Sequence, residues 1–437
     1  MKKLVVLHID GLSAAMLERA LNAGTMPRVK RLLEAEEYEI HRYRCGVPST
    51  TPFAQAGILY GDNREIPSFR WWDRERQLLV KFGAGSTFKK VADKYFEGSK
   101  PLTEGGACIA ACYPAGAKDT FGIAFQDRSY MQPGKSRSAA SVLVPYLLNP
   151  IHLGDWVTQT VRMLLRTARD VLTSRKRGGR PAREYVITDV LEEIFVHHLT
   201  RYAVEQAMRE GYSPIYAGFY AFDETAHAFG PGDPASQRIL KHVDHTVGRI
   251  ADARDGRYEL VVLSDHGQVD AIPYPLAQEL PGRPRVTASG GLAHVYLAES
   301  GRRMTYSEVR SARPDLLSWL QRREEVALVM ARDGEEDVLL FNGPQIQAYD
   351  DAGILRAQLS RLNSFGNCGD LVVFGAFQDG KQFNFEKQAG GHGSIGGEQL
   401  HPFVLAKKDW GLDTSHVNGA HELHPLLCGL RDSLLQG

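Results

Sequence analysis

The side chains best able to do chemistry stand in five short segments. In each, an acidic, imidazole or hydroxyl group lies in a pattern typical of a strand end, a helix start or a glycine-rich turn. They are Asp10 in LHIDG, Thr51 in PSTTPF, Asp223 and His227 in FDETAH, Asp265 and His266 in SDHG, and His392 in GGHGS. Three aspartates, three histidines and one threonine are enough to bind two metal ions and to supply a nucleophile.

The types of these side chains predict the metal and the reaction. Shells that mix imidazole and carboxylate suit Zn²⁺, with Mn²⁺ or Fe²⁺ as the alternatives. Two divalent ions about 4 Å apart stabilise the attacking and leaving oxygens of an in-line displacement. Coordination also ionises a threonine hydroxyl, which is a poor nucleophile by itself at neutral pH. The residues therefore fit metal-dependent cleavage of a phosphate ester.

Thr51 lies where a helix is expected to begin. Pro52 follows it, an apolar helical pattern continues, and Gly61 ends that pattern. Thr is a good N-cap, Pro favours the first helical position and Gly commonly terminates a helix. Because free N–H groups at a helix start attract anions, the pattern fits a nucleophile that faces a phosphoryl group as well as a plain helix cap.

Three apolar runs that each end in an aspartate predict the central sheet. They are Leu4–Asp10, Pro214–Asp223 and Glu259–Asp265, and their composition is typical of strands buried on both faces of a parallel sheet. Helical patterns such as Ser13–Asn22 and the stretch around Ile187–Arg209 lie between them. We therefore expect an α/β fold with a largely parallel central sheet flanked by helices. Ligands of such sheets gather at the carboxyl ends of the strands, so the three carboxylates should meet.

Two stretches interrupt this alternation of strands and helices. We interpret residues 1–437 as a single catalytic domain with a basic, amphipathic insertion at 77–184 and a small α/β cap inserted at 282–387. The cap is predicted from a strand pattern, a helical pattern and two further strand patterns, at residues 293–298, 306–322, 326–330 and 337–341.

Composition excludes some classes of protein. Lysine plus arginine and aspartate plus glutamate each number 52 in the 437 residues, so there is no overall bias toward nucleic acid and no nucleic-acid-binding signature. Five scattered cysteines do not form a disulfide pattern, which favours a reducing compartment. The apolar run after Lys3 is too short for a secretory signal. We therefore expect a cytoplasmic protein.

The order and spacing of the chemical segments resemble the type I phosphodiesterase/nucleotide pyrophosphatase branch of the alkaline phosphatase superfamily. The likeness covers residues 3–73, 214–268 and 390–406, with a weaker stretch at 289–298. The resemblance implies an alkaline-phosphatase-like core. It also implies a hydrolase that cleaves phosphate esters through a phospho-threonine intermediate on two divalent ions.

The same resemblance implies a role for each site residue. The PSTTP segment looks like the nucleophile motif of the family, with Thr51 rather than Thr50 in the reactive position. Thr51 would also contact one of the ions. The implied ligand sets are Asp223, His227 and His392 for one ion, and Asp10, Asp265 and His266 for the other.

Arg70 marks a departure from the family pattern. Nucleotide pyrophosphatases usually have a phosphate-contacting Asn after the nucleophile helix, whereas this chain has IPSFRWWDR with Arg70 near the matching position. An arginine there grips two phosphoryl oxygens and suits a more highly charged substrate, or it is a surface residue beside Trp71 and Trp72. The departure leaves a phosphomonoesterase or phosphotransferase of the same superfamily as the alternative to a phosphodiesterase.

The first insertion has a pattern that could contact a membrane. Residues 135–183 contain ten Lys or Arg against two Asp, and apolar residues recur at helical spacing within 138–183. This pattern is typical of an interfacial amphipathic helix and equally of a cap helix packed on the core. The chemistry predicts a phosphate-ester small molecule or a lipid head group as the substrate. A non-catalytic membrane-surface scaffold is the alternative from another class.

Overall fold

The computed structural model describes most of the chain. The described residues are 1–81, 91–122, 135–136, 139–150, 153–154, 156–158, 160–161, 164–165, 197–298 and 301–436.

Nineteen strands are found in the described residues and are numbered in chain order. The first ten are β1 (Lys3–Ile9), β2 (Tyr38–Arg42), β3 (Arg70–Asp73), β4 (Leu78–Lys81), β5 (Ala107–Ile109), β6 (Asp119–Phe121), β7 (Lys135–Ser136), β8 (Ile215–Phe219), β9 (Tyr258–Leu263) and β10 (Val269–Pro273). The others are β11 (Arg285–Ser289), β12 (Leu292–Tyr296), β13 (Val326–Asp333), β14 (Glu336–Phe341), β15 (Leu371–Gly375), β16 (Phe377–Gln378), β17 (Lys381–Asn384), β18 (Gly390–Gly391) and β19 (Phe403–Lys407).

The α-helices of the described residues alternate with these strands. They are Ala14–Asn22, Pro27–Ala35, Thr51–Tyr60, Ala139–Leu148, His197–Glu210, Ala221–Phe229, Pro234–Asp252, Leu276–Glu279, Tyr306–Ala312, Pro314–Gln321, Ala352–Asn363 and Ala420–Gln436. Short 3₁₀ turns occupy Ile346–Ala348, Gly397–Leu400 and Lys408–Trp410.

The central sheet has eight strands in the order β2-β19-β9-β1-β8-β5-β6-β7. The six strands from β9 to β7 run parallel to their neighbours, and β19 runs antiparallel to both β9 and β2. The predicted α/β fold with a largely parallel central sheet is confirmed. Helices cover both faces of the sheet. Successive residues of β1 point to opposite faces, so Val5 and Leu7 pack in one apolar core and Leu4 and Val6 pack in the other.

One predicted strand is shorter than its apolar run. The run Pro214–Asp223 divides into β8, which ends at Phe219, and the helix Ala221–Phe229. Asp223 and Glu224 lie in the first turn of that helix, where negative charge interacts favourably with the helix dipole. Asp223 is therefore held by the first turn of a helix and not by a strand end.

The helix Thr51–Tyr60 begins one residue earlier than the sequence indicates. Thr50 is at the N-cap position, although its side chain makes no capping bond, and Thr51 is the first helical residue. Gly61 ends the helix in a left-handed conformation with φ 72°, which glycine adopts without steric cost. The helix is buried almost all round, and Gly57 lies so close to the helix Ala420–Gln436 that a Cβ there would be 2.6 Å from the backbone nitrogen of His421.

The two predicted insertions differ in how they relate to the central sheet. The segment 282–387 contains the antiparallel sheet β11-β12-β15-β13-β14, and its predicted strand and helix patterns correspond to β12, β13, β14 and two helices. The segment 77–184 supplies β5, β6 and β7 to the central sheet. Part of that segment therefore extends the core sheet instead of standing apart from it.

The predicted amphipathic segment, residues 138–183, lies largely outside the described residues. In the described part of the chain, no helix combines the length and the continuous hydrophobicity that crossing a bilayer requires.

Candidate bimetallic active site

Three buried carboxylates meet where the neighbouring strands β9, β1 and β8 end. Asp10 directly follows β1, Asp265 follows β9 after one serine, and Asp223 lies on the helix after β8. Their exposed fractions are 2%, 0% and 5%. The parallel order of the strands brings these acids together from segments far apart in the sequence. All seven metal-site residues predicted from the sequence contact at least one other member of the set.

Thr51 faces the Asp10 side of this cluster. Its Oγ1 is 3.4 Å from both carboxylate oxygens of Asp10 and 3.2 Å from Nε2 of His266. His266 Nε2 is in turn 3.4 Å from Asp10 Oδ1 and 3.3 Å from Asp265 Oδ2. The hydroxyl thus lies at the N-terminus of a buried helix and beside the carboxylate of Asp10 and the imidazole of His266.

Asp223, His227 and His392 form the other side of the cluster. His227 Nε2 is 3.1 Å from Asp223 Oδ2 and 3.2 Å from His392 Nε2. Asp223 and His227 converge because they are four residues apart on one helix, as the sequence predicts for Asp-x-x-x-His. His392 arrives from the loop after β18, which pairs with β10. Its ring stacks on His266, with ring centroids 3.9 Å apart.

The three predicted histidine ligands share one second contact. Nδ1 of His227 is 3.0 Å from the carbonyl oxygen of Gly390, Nδ1 of His266 is 3.0 Å from that of Gly267, and Nδ1 of His392 is 2.7 Å from that of Ser49. A carbonyl only accepts hydrogen bonds, so each Nδ1 carries the proton. When each ring is neutral, its Nε2 therefore turns a lone pair toward the cluster, as in metal-binding histidines.

Asp265 gives an independent sign that a cation fits here. Its Oδ1 is surrounded by nitrogens: the backbone nitrogens of Gly11 and His266, at 3.3 Å and 2.9 Å, and Nε2 of His8, at 3.0 Å. Its Oδ2 is buried and has no hydrogen-bond partner in the described part of the chain. A buried carboxylate oxygen without a donor is costly, and a cation between it and the bare Nε2 of His266 would remove that cost.

The structure contains two buried His/Asp triads consistent with a bimetallic site, and their membership differs from the predicted one. By proximity, Asp223, His266 and His392 form one triad and His8, Asp10 and Asp265 the other. His266 is central, since it touches members of both predicted ligand sets. His8 was not predicted as part of the site. The sequence signal was available, because His8 is a polar residue inside the apolar run of β1.

Gln268 is a second residue that sequence reasoning missed. Its side-chain nitrogen donates to the backbone oxygen of Asp223 at 3.0 Å and to Oδ1 of the same residue. It therefore fixes the carboxylate against the helix. Nothing in the local sequence pattern of SDHGQ indicates this contact, because it joins two segments that only the fold brings together.

The charges in the cluster are strongly coupled. Burial, with the nearby carboxylates of Asp265 and Asp223, raises the pKa of Asp10 well above its usual range. Burial also acts to raise the pKa values of Asp223 and Asp265, but the imidazoles, chiefly His227 for Asp223 and His266 for Asp265, bring both well below the usual range. The pocket thus holds two anionic carboxylates whose charge is offset by imidazoles.

The two histidines beside Asp223 respond in opposite directions. Burial favours the neutral form of His227, but the Asp223 carboxylate outweighs it and raises the pKa of His227 to about 9. Burial and the neighbouring His266 lower the pKa of His392 to about 3. In the metal-free state His227 is therefore the protonated member of the pair.

Arg70 is linked to the His392 loop through the side chain of Glu386 and the turn at Gly290. Among the described residues, its guanidinium forms an ion pair with Glu386, with Nη2 3.0 Å from Oε1. The other oxygen of Glu386 accepts the N–H of Gly290 at 2.7 Å, and the next residue, Gly291, donates to the carbonyl of His392 at 3.0 Å. The phosphoryl contact predicted for Arg70 stays a prediction, and it would require the guanidinium to leave Glu386 or to bridge both.

Comparison with known proteins assigns the chain to a family of hydrolases. The sequence profile of the type I phosphodiesterase/nucleotide pyrophosphatase family matches residues 4–390. The chain belongs to this family of the alkaline phosphatase superfamily and is a hydrolase of that family. No curated protein matches significantly.

Solved structures agree with the fold. The chain is similar to phosphonoacetate hydrolase from Sinorhizobium meliloti 1021 in complex with phosphonoformate, at 14% identity and a TM-score of 0.55, over 99% of this chain and 96% of that one. It is also similar to murine ectonucleotide pyrophosphatase/phosphodiesterase 5, an inactive variant in complex with AMP, at 13% identity and a TM-score of 0.55, over 99% and 95% of the two chains. These relatives hold small phosphonate or phosphate-ester ligands.

Metal binding to the metal-free protein should release a proton from His227 at neutral pH. Its pKa of about 9 keeps the imidazole protonated near pH 7, and a metal needs the neutral ring. Release should decline as the pH rises through 9, because the ring is then already neutral. Titration calorimetry with Zn²⁺ in buffers of different ionisation enthalpy measures the number of protons.

His227→Gln is the control for this measurement. It should release about one proton fewer than the wild type near pH 7, because the titrating ring is gone. Equal release by the two proteins would contradict the assignment of the proton to His227.

Proposed function

We propose that this chain is a phosphodiesterase or nucleotide pyrophosphatase that works through a phospho-threonine intermediate on Thr51. The observation that carries the proposal is the position of the Thr51 hydroxyl, at a helix N-terminus and 3.2 to 3.4 Å from His266 and Asp10. A phosphoryl group beside this hydroxyl would meet the positive end of the helix dipole.

Two divalent ions fit the donor set, with Zn²⁺ favoured and Mn²⁺ the alternative. We propose that Asp223, His227 and His392 hold one ion and that Asp10, Asp265 and His266 hold the other. When bound, such ions neutralise the charge that develops on the phosphoryl oxygens and favour the ionised threonine. The donor set is supported by the three contacts of Nδ1 with backbone carbonyls, which leave each Nε2 to a metal once the ring is neutral. It is also supported by Oδ2 of Asp265, which has no hydrogen-bond partner among the described residues.

The chain's own groups would carry the covalent steps. The Thr51 hydroxyl gives up its proton, which reaches the leaving oxygen by way of solvent. Thr51 Oγ1 forms a bond to phosphorus while the bond between phosphorus and that oxygen breaks, and the leaving group departs as an alcohol or a phosphate. Water then cleaves the bond between Thr51 and phosphorus and restores the hydroxyl. Asp10 lies where it accepts a hydrogen bond from the Thr51 hydroxyl before the first step.

The two adjacent threonines allow a matched test of the nucleophile. Thr51→Val keeps the shape of the side chain and removes the hydroxyl, so kcat should fall by about 10³-fold or more while two ions still bind. Thr50→Val is the control, because the Thr50 hydroxyl is buried and has no hydrogen-bond partner in the described residues. Its loss should leave activity and folding nearly unchanged.

Activity would be measured with bis-p-nitrophenyl phosphate, p-nitrophenyl phosphate and a nucleotide p-nitrophenyl ester, each with Zn²⁺ and with Mn²⁺. Mass spectrometry after acid quench should find phosphate on the peptide that contains Thr51. An inactive Thr50→Val beside an active Thr51→Val would overturn the assignment.

The alternative function, a phosphomonoesterase or phosphotransferase, depends on Arg70. A monoester carries a second negative charge that a diester lacks, and a guanidinium favours the more charged group. If Arg70 contacts that group, Arg70→Ala should lower kcat/KM for p-nitrophenyl phosphate more than for the diester, by roughly 5- to 150-fold. Glu386→Gln should act in the opposite direction, because it releases Arg70 from its ion pair. Equal losses on both substrates would favour the diesterase.

We also propose a cytoplasmic protein that contacts an anionic membrane surface through residues 138–183. Large apolar side chains at described positions of this segment are exposed and recur at helical spacing: Val144, Leu148, Val157, Val161, Leu164 and Leu165. The ten basic residues of 135–183 supply the complementary charge.

Vesicle flotation tests this contact. The protein should float with vesicles that contain phosphatidylglycerol and much less with pure phosphatidylcholine, and Leu164→Asp with Leu165→Asp should reduce the bound fraction several-fold. Equal binding to both vesicles, or none to either, would contradict the proposal.

A further inference from the structure

We infer that His8 is a positioning residue for Asp265, held as its Nε2–H tautomer by Gln55, and not a third ligand of the second ion. The inference rests on the proposed two-ion site. Proximity alone favours the opposite conclusion, because His8, Asp10 and Asp265 present potential ligand atoms within 4.8 Å of one another. The hydrogen bonds around His8 decide between the two roles.

The orientation of the Gln55 amide is fixed from its far side. Its Oε1 accepts the backbone N–H of Cys112 at 2.8 Å, so its nitrogen faces the other way. That nitrogen lies 3.1 Å from Nδ1 of His8 and 2.8 Å from the hydroxyl oxygen of Tyr220. The Tyr220 hydroxyl itself donates to the carbonyl of Ala110 at 2.8 Å, which leaves its oxygen to accept from Gln55.

The reversed amide fails on the same contacts. It would set the NH₂ group against the Cys112 N–H, so two donors would meet in a buried site. The observed orientation satisfies the amide oxygen through Cys112 and gives one N–H each to His8 and Tyr220. The Gln55 amide, the Cys112 N–H, Nδ1 of His8 and the Tyr220 hydroxyl then each have a suitable hydrogen-bond partner.

This orientation determines the tautomer of His8. Because Nδ1 accepts an N–H from Gln55, it has no proton, and the neutral ring carries its proton on Nε2. That nitrogen is 3.0 Å from Oδ1 of Asp265, although its N–H does not point straight at the oxygen. A protonated nitrogen has no lone pair for a metal. His8 thus differs from His227, His266 and His392, whose Nδ1 atoms face carbonyls.

The contact gives His8 a role in the site. Three nitrogens surround Oδ1 of Asp265 and leave Oδ2 without a partner beside Nε2 of His266. Two of these three nitrogens are backbone atoms, and the third is Nε2 of the His8 side chain. His8 therefore helps to set the rotation of the carboxylate, so that the free oxygen and the bare imidazole face the same point.

Two substitutions separate a positioning residue from a ligand. His8→Ala should still bind two Zn²⁺, the second about 10- to 100-fold more weakly. His8→Gln keeps an N–H donor near the position of Nε2 but is a poor ligand for Zn²⁺, so it should recover most of the affinity. Equal loss of the second ion in both variants would mean that His8 is a ligand and would overturn the inference.

A spectroscopic measurement on the wild type needs no variant to fold. Long-range ¹H–¹⁵N correlation spectra should find His8 as the Nε2–H tautomer, and His266 and His392 as Nδ1–H, before and after loading with Zn²⁺. His294 is the internal reference: its Nδ1 accepts the N–H of Gly369 at 3.2 Å and its Nε2 donates to Pro67 at 3.1 Å, so it is also the Nε2–H tautomer and should not respond to metal.

The outcomes distinguish the inference from the proposed function. If the wild type binds two ions and His8 loses its Nε2 proton on loading, the inference is wrong and the two-ion site stands. If the wild type binds no ions, the proposed function fails, and the tautomer of His8 in the metal-free protein still tests the hydrogen-bond argument by itself.

Discussion

The burial of three carboxylates in one small pocket is the constraint on which the site depends. An isolated buried carboxylate is strongly disfavoured, yet Asp10, Asp223 and Asp265 are almost fully buried together. The surrounding groups offset that cost in different ways. Imidazoles face Asp223, and nitrogens surround one oxygen of Asp265. The pKa of Asp10 rises, which favours its neutral form. The carboxylate oxygens and imidazole nitrogens that these groups leave without a donor or a proton define where cations fit.

Close backbone packing is the second requirement, and glycine meets it. Gly11 follows Asp10 with φ 73°, and a Cβ there would lie 2.4 Å from Oδ1 of Asp223. A Cβ on Gly267 would lie 2.3 Å from the carbonyl of Glu398. A larger residue would clash with Asp223 at the first position and with the backbone of Glu398 at the second, and would displace the segments that carry Asp10 and Asp265. The glycines of HIDG and SDHG are therefore part of the site, although they offer no chemistry of their own.

The sequence predicts those parts of the site that depend on local spacing. Asp223 and His227 converge because four residues make one helical turn, and Asp10 and Asp265 meet because parallel strands end at one edge. The same reasoning placed the start of the Thr51 helix one residue late and took Asp223 for a strand end. At Asp223 a strand changes to a helix within two residues, which hydrophobic periodicity does not locate. At Thr51 the error is one residue at a helix end, where sequence signals are least exact.

What the sequence cannot predict are contacts that depend on the assembled fold. The ion pair of Arg70 with Glu386, the hydrogen bond of Gln268 to Asp223 and the donation from Gln55 to His8 each join distant segments. None has a local pattern, since a single arginine or glutamine fits most surfaces. His8 is different. A histidine within an apolar, doubly buried strand needs partners, so it was open to prediction as a buried functional residue, and only its role required the structure.

Three segments contact one another at His392: the segment of Ser49, the turn at Gly290 and the His392 loop itself. The carbonyl of Ser49, just before Thr50 and Thr51, fixes Nδ1 of His392, and a Cβ on Gly290 would lie 1.8 Å from the carbonyl of His392. Gly290 also donates to Glu386, the partner of Arg70. The segment before Thr51, the His392 loop and the turn at Gly290 are thus in direct contact, and the side chain of Glu386 joins that turn to Arg70. A displacement of the Arg70–Glu386 pair would reach His392 through these close contacts. If Arg70 contacts the substrate as proposed, substrate selection and metal binding therefore depend on one connected set of contacts.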